Sequence, residues 1–234
     1  MNRALLHTAM GAAVVACSAV ASAQPRPYSP PRLIRAEVPA EPGHLVVGGG
    51  EVLIEFIVDE RGLVTRPSIV RSTPPYTEML LGVMAGWRFE PARAINEFGT
   101  ERAVETPVAV SAIFRPPTFY NGPTLGEGPR DVGKLSGDVA SPVSMVTPAY
   151  PPQAFLATAV LYEVLLNQSG QPVEARGFAA DPAFDGVSRD ALAQMSFRGG
   201  TYRSRPVPST TYVLFAFRSP MLVPAVSPPP RPIR

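Results

Sequence analysis

The sequence predicts an α+β fold built from two successive β-β-α-β units, and three observations lead there. Apolar residues recur at every second position in some runs and at helical spacing in others, the pattern of the first half returns in the second at a fixed separation, and proline-rich stretches bracket both halves. Of 234 residues 29 are proline, about one in eight against a usual share of roughly 5%, so extended connectors take a good part of the length.

At the N-terminus a lone Arg3, an apolar stretch from Ala9 to Val20, and Ala21-Ser22-Ala23 before Gln24 have the layout of a signal peptide over residues 1–23 with an A-x-A cleavage site. This reading makes Gln24 the mature N-terminus and the periplasm the destination. Two others stay open: Val14-Val15-Ala16-Cys17 loosely fits a lipobox, which would anchor the protein through an acyl chain on Cys17, and residues 4–23 approach the roughly 20 apolar residues of an uncleaved anchor. Cys17 is the only cysteine, so cleavage after Ala23 removes disulfides, zinc-thiolate sites and cysteine nucleophiles together. The 21 basic and 19 acidic residues give a net charge of +2, or +1 once Arg3 leaves with the signal, and that balance offers no argument for nucleic acid.

Residues 24–42 hold Pro25, Pro27, Pro30, Pro31, Pro39 and Pro42, a spacing that predicts a polyproline-like lead-in acting as a tether. A Gly- and Pro-rich linker over 116–148 and a Pro/Arg tail over 219–234 leave two folded bodies, 35–115 and 149–218.

In the first body Val52, Ile54, Phe56 and Val58 fall on one face of an extended run and Leu53, Glu55 and Ile57 on the other, the period of a strand. Asp59-Glu60-Arg61-Gly62 supplies hairpin chemistry, and the chain returns through a second strand over 63–71, where Pro67 marks an outer edge. Met79, Leu80, Val83, Met84 and Trp87 then follow helical spacing behind Thr77, a candidate cap, and residues 104–114 alternate as a third strand. The second body repeats this plan, with strands over 158–166, 173–178 and 211–217 and a helix over 185–195. The correspondence keeps a constant separation of 108 positions, from Val52 to Val160, Glu55 to Glu163, Gly62 to Gly170 and Phe89 to Phe197. It drops to 103 at the end, from Phe114-Arg115 to Phe217-Arg218, so the second copy is five residues shorter in one loop.

Nothing in the mature chain assembles a catalytic group. His44 stands alone beside Pro42-Gly43, Asp59, Glu60 and Asp181 sit in turns, and Gly48-Gly49-Gly50 precedes a strand instead of a helix, so no nucleophile with its base, no metal site, no cofactor site and no phosphate loop is expected. After Asp190 there is no acid, while Arg198, Arg203, Arg205, Arg218, Arg231 and Arg234 follow, which predicts a basic C-terminal surface.

The run E-V-L-I-E-F-I-V-D-E-R-G-L-V-T-R-P-S-I-V-R from Glu51 to Arg71, an amphipathic helix, and then Trp87-Arg88-Phe89-Glu90-Pro91-Ala92 together resemble the signature of the TonB C-terminal domain. The second copy is more degenerate: Pro148-Ala149-Tyr150-Pro151 resembles the family's P-x-Y-P opening and Phe197 is kept, but Met195 and Gly199 stand where the first copy has Trp87 and Pro91. The resemblance implies a helix packed on a small antiparallel sheet in each copy, and a part in outer-membrane transport in which the domain pairs its edge strand with an extended segment of a TonB-dependent receptor. Main-chain hydrogen bonds then supply attachment and alternate side chains selectivity. The last strand of each copy is the expected edge, with Val108, Val110, Ala112 and Phe114 in the first and Val213 and Phe215 in the second. Trp87, Phe89 and Phe197 are expected in the core.

One departure bears on energy coupling. A nineteen-residue lead-in reaches about 60 Å at 3.1 Å per residue, short for a transducer that must cross the periplasm, and this favours an adaptor. A scaffold that touches peptidoglycan or lipopolysaccharide through the basic C-terminal part is the alternative reading.

Overall fold

The structure, a computed structural model, describes residues 28–43, 46, 48–117, 130–131, 135–151, 154, 156–178 and 181–219. The signal-peptide and lipobox readings, His44, and the tail from residue 220 onward lie outside these residues. In chain order the elements are β1 (Tyr28–Ser29), β2 (Arg32–Arg35), β3 (Gly50–Val58), β4 (Val64–Arg71), α1 (Tyr76–Met84), β5 (Arg88–Glu90), β6 (Ala92–Ile95), β7 (Glu101–Val104) and β8 (Thr106–Phe114). There follow β9 (Arg130–Asp131), β10 (Ser141–Pro142), β11 (Ser144–Met145), β12 (Thr158–Leu166), β13 (Pro172–Phe178), α2 (Pro182–Ala193), β14 (Phe197–Arg198), β15 (Thr201–Tyr202), β16 (Arg205–Pro206) and β17 (Ser209–Phe217). The fold is α+β, mostly sheet with two helices.

Local chemistry explains the main elements. The β3–β4 hairpin turns where Gly62 adopts φ +78°, and the Asp59 carboxylate accepts the amides of Arg61 and Leu63 at 2.9 and 2.8 Å. A Cβ on Gly62 would stand 1.9 Å from the Phe89 carbonyl oxygen, so this close approach requires glycine. The β12–β13 hairpin copies the device: Gly170 has φ +78° and Asn167 accepts from Ser169 and Gln171 at 2.9 and 3.0 Å. Helix α2 is capped by Asp181, which accepts from the Ala183 amide, with Pro182 in the first turn. In α1 the capping expectation is corrected. Thr77 lies inside the first turn, buried, and its hydroxyl accepts from the Thr73 amide at 2.9 Å, while Pro75 holds the cap position without a side-chain bond. Trp87 falls beyond the helix end but is fully buried against Phe56, Phe89 and Tyr212, with its indole N–H donating to the Glu37 carbonyl at 2.8 Å.

Two small sheets joined by a connector are not what forms. One six-stranded sheet runs in the order β13-β12-β17-β8-β3-β4, antiparallel throughout except for a parallel seam between β17 and β8. The reason lies in those two strands. The alternation expected over 104–114 is corrected: β17 is buried at every position and β8 at all but Pro107, and strands buried on both faces need cover on both and neighbours on both sides.

The seam also fixes the layering. Phe114 and Phe217 correspond in sequence, but Phe114 pairs with Ala216, a stagger of one residue. Because side chains alternate with period two, an odd stagger sends equivalent residues to opposite faces. Val52, Ile54, Phe56, Val110 and Phe114 therefore share one face with Tyr76, Leu80 and Met84 of α1, while Val160, Tyr162, Val164, Val213 and Phe217 share the other with Phe184, Ala191 and Leu192 of α2.

Each helix covers only its own half of a face, and the supposed connectors cover the remainder. Leu33, with Ala36 and Val38 partly buried, packs over Leu161, Tyr212 and Leu214 on the α1 face, and Leu135, Val139, Met145 and Val146 pack over Leu53, Ala109 and Ile113 on the α2 face. Among the described residues the lead-in is thus corrected from a free tether to a segment anchored through Tyr28, Pro31, Leu33 and Pro39, and the described part of the linker likewise. Proline leaves a chain extended, and an extended chain can still bury alternate apolar side chains. Two arginines fasten these segments: Arg115 donates to the Pro148 carbonyl at 2.7 Å, and Arg218 donates to the Val46 carbonyl. The basic-surface expectation is corrected for Arg218, which is 2% exposed, while Arg198, half-buried, donates to the Ser136 carbonyl at 2.9 Å and Arg231 and Arg234 lie outside the described residues. Arg203 and Arg205 are the exposed members of the series among the described residues.

Candidate functional site

The strands expected to receive a partner lie in the middle of the sheet. Val108, Val110, Ala112 and Phe114 are buried between β3 and β17, and Val213 and Phe215 between β8 and β12. Their backbone groups are consumed by neighbours, so neither strand is an edge and the assignment is corrected: the strands that end the sheet are β4 and β13.

Hydrogen-bond phase shows which backbone groups are left over. The Ala216 carbonyl accepts from the Arg115 amide at 2.8 Å across the seam, so Tyr212, Leu214 and Ala216 turn their backbone groups toward β8, and Val213 and Phe215 turn theirs toward β12. Val213 stands directly opposite Tyr162, which makes Tyr162 and Val164 face β17 and makes Leu161, Glu163 and Leu165 face β13. Their partners Phe178, Arg176 and Glu174 complete that ladder. The N–H and C=O groups of Ala175 and Gly177 consequently point outward. The Ala175 carbonyl accepts from the Arg189 guanidinium at 3.3 Å, as an outward-facing group can.

The two edges differ in regularity. β4 loses register twice against β3, places Arg66 at φ +49°, and follows it with Pro67, and bulges and proline are the devices that spoil an edge for pairing. β13 pairs without interruption from Glu174 to Phe178, its one irregularity lying at the start of the strand. It is the straighter template.

Both faces of β13 are held by charged groups. On the α1 side the Glu163 carboxylate, 1% exposed, accepts from Arg32 at 3.0 Å and from the Leu33 amide at 2.6 Å, with Arg176 at 3.2 Å. Arg176 also donates to the Leu33 carbonyl at 2.6 Å, and Arg32 reaches Glu174 at 3.4 Å, so the lead-in, the inner strand and the edge strand form one network. Burial first, then the nearby Glu163 carboxylate, pushes the Tyr212 hydroxyl well above its ordinary pKa. On the α2 side Tyr162 donates to Asp185 at 2.6 Å and Arg189 pairs with the same carboxylate at 2.8 Å. The bonds from Arg189 and Tyr162 hold the Asp185 carboxyl below the usual range, while burial, ahead of Asp185, raises Tyr162.

This edge offers fixed backbone donors and acceptors, not a reactive side chain. Among the described residues no three His, Cys, Asp or Glu side chains gather where they could hold a metal ion, and no helix is long and apolar enough to cross a membrane. No protein-family model matches the chain. No curated protein matches it either.

Sequence reasoning missed Ala175, Gly177, Arg32, Glu163 and Arg176 as a group. One signal was present: Glu163 is the single charge in the otherwise apolar run from Val160 to Leu166. A carboxylate there requires partners, although nothing local says that they come from Arg32, 131 positions earlier.

Proposed function

We propose that this protein is a non-catalytic binding protein of the cell envelope that takes an extended segment of a partner as a seventh strand along β13. The observation that carries the reading is the outward-facing backbone of Ala175 and Gly177 on a regular outer strand. The resemblance of both halves to the TonB C-terminal domain supports it. Two such β-β-α-β copies, joined through their last strands, would lose the edges that each copy uses alone and keep the opposite ones. The signal-like N-terminus favours the periplasm, and a periplasm-facing segment of an outer-membrane receptor is the partner that the resemblance suggests.

The test uses two adjacent proline substitutions. Ala175→Pro removes an outward N–H and should leave the fold intact, whereas Arg176→Pro removes a ladder N–H and should destabilise the sheet. Synthetic peptides covering the periplasm-facing N-terminal segments of outer-membrane receptors from the same cell serve as probes in fluorescence anisotropy. Wild type should capture at least one and Ala175→Pro none, with an unchanged melting temperature. Equal capture by Ala175→Pro would place the partner elsewhere.

A further inference from the structure

Beyond the β13 edge, the end of the sheet carries a pocket of about 690 Å³, within the usual range of small-molecule sites. The first half of the chain supplies Tyr28 and Ile95 to its wall, and the second half supplies Tyr202 and Val207. The two tyrosine rings stack on each other at 5.0 Å and 26°, so part of the pocket wall is a contact between the two halves. Burial, partly offset by a 3.2 Å hydrogen bond between its hydroxyl and Thr106, keeps Tyr28 neutral well into alkaline solution.

The rim is cationic. Arg203 and Arg205 both line the pocket, no acidic side chain lines it, and neither arginine has an acidic partner among the described residues. The guanidinium carbon of Arg203 lies over the Tyr202 ring, 5.4 Å from its centre. The hairpin that presents it is locally unfavourable: Arg203 and Ser204 adopt φ +52° and +60°, where a two-residue turn is best served by Asn-Gly. A cation is therefore held at the rim by a turn whose sequence costs stability, a pattern found where a side chain is kept for binding.

We propose that this pocket binds a small amphipathic carboxylate, its apolar body against Ile95, Tyr202 and Val207 and its carboxylate between Arg203 and Arg205. Guanidinium groups suit a carboxylate because their fork matches its two oxygens, and an apolar wall without an acid favours the rest of such a ligand.

The experiment compares 2-naphthoate with 2-naphthalenemethanol, nearly the same shape without the charge, by titration calorimetry on the mature chain. Naphthoate should bind at least about tenfold more tightly, the effect of a charge-assisted hydrogen bond, and Arg203→Gln with Arg205→Gln should remove that difference without altering near-ultraviolet dichroism. Equal affinity for the two ligands, an unchanged preference in the double variant, or no binding of either by the folded protein would overturn the proposal. Displacement of naphthoate by inorganic phosphate at equal concentration would also overturn it, since the pocket would then take a bare anion. These outcomes do not touch the β13 edge, which the peptide experiment tests separately.

Discussion

Glu163 gives the sharpest test of how the lead-in is held. Its side chain is 1% exposed, whereas Arg32 and Arg176 retain 32% and 44%. Glu163→Leu removes the acceptor of the buried Leu33 amide, which costs about 1–3 kcal/mol, and strands two cations. Breaking a fully buried pair costs about 3–5 kcal/mol, but both guanidiniums can regain water, so the expected total is about 3 kcal/mol. Glu163→Gln keeps an oxygen for Leu33 and should lose only about 1–2 kcal/mol. Urea denaturation followed by the fluorescence of Trp87, the single tryptophan, reports on the same region through its bond to Glu37. At a slope near 2–3 kcal/mol/M, the leucine variant should unfold about 1–1.5 M earlier than wild type. Adding Arg32→Met and Arg176→Met should restore about half of the loss, because the cations leave while the Leu33 amide stays unpaired. A leucine variant as stable as wild type would show instead that apolar packing alone holds the lead-in.

Three further outcomes are expected. Trp87→Ala should cost about 3–5 kcal/mol by denaturation, since the ring is fully buried against both halves; an unchanged midpoint with lost partner capture would make Trp87 a contact residue instead. Gly62→Ala should destabilise by more than about 2 kcal/mol, because an unfavourable φ of +78° adds to a backbone clash at Phe89, while Gly99→Ala, at φ +76° with open space, should cost only about 1 kcal/mol; equal losses in thermal melts would refute the role of that close approach. Tyr212 and Tyr162 both titrate above an unfolded tyrosine, so their contribution is fully present below pH about 10 and is lost as pH rises beyond it, by up to about 1.4 kcal/mol per pH unit and group; Tyr212→Phe should flatten this alkaline loss in melting curves, and an unaltered slope would count against it.

The local elements were legible in the amino-acid order alone. The two-faced pattern from Val52 to Val58 and its repeat 108 positions on mark strands, Asp59 to Gly62 marks a turn, and Pro67 marks an outer edge; each is legible along the chain, and β3, β12, the hairpin and the outer place of β4 appear where these signals put them. The helices were legible within a few residues, although Thr77 was misplaced as a cap because a hydroxyl near a helix start looks the same one position inside it. Which strands meet depends on contacts between distant parts of the chain. Both final strands are buried on both faces, where the amino-acid order predicts an alternating edge strand over 104–114, and nothing local says that they lie side by side with a one-residue stagger that turns α1 and α2 to opposite faces. An edge is defined by the neighbour it lacks, and that depends on pairing between residues about a hundred positions apart. The same holds for the lead-in: its prolines dictate an extended backbone, while its burial depends on Glu163 and Tyr212, which no local pattern brings to Leu33.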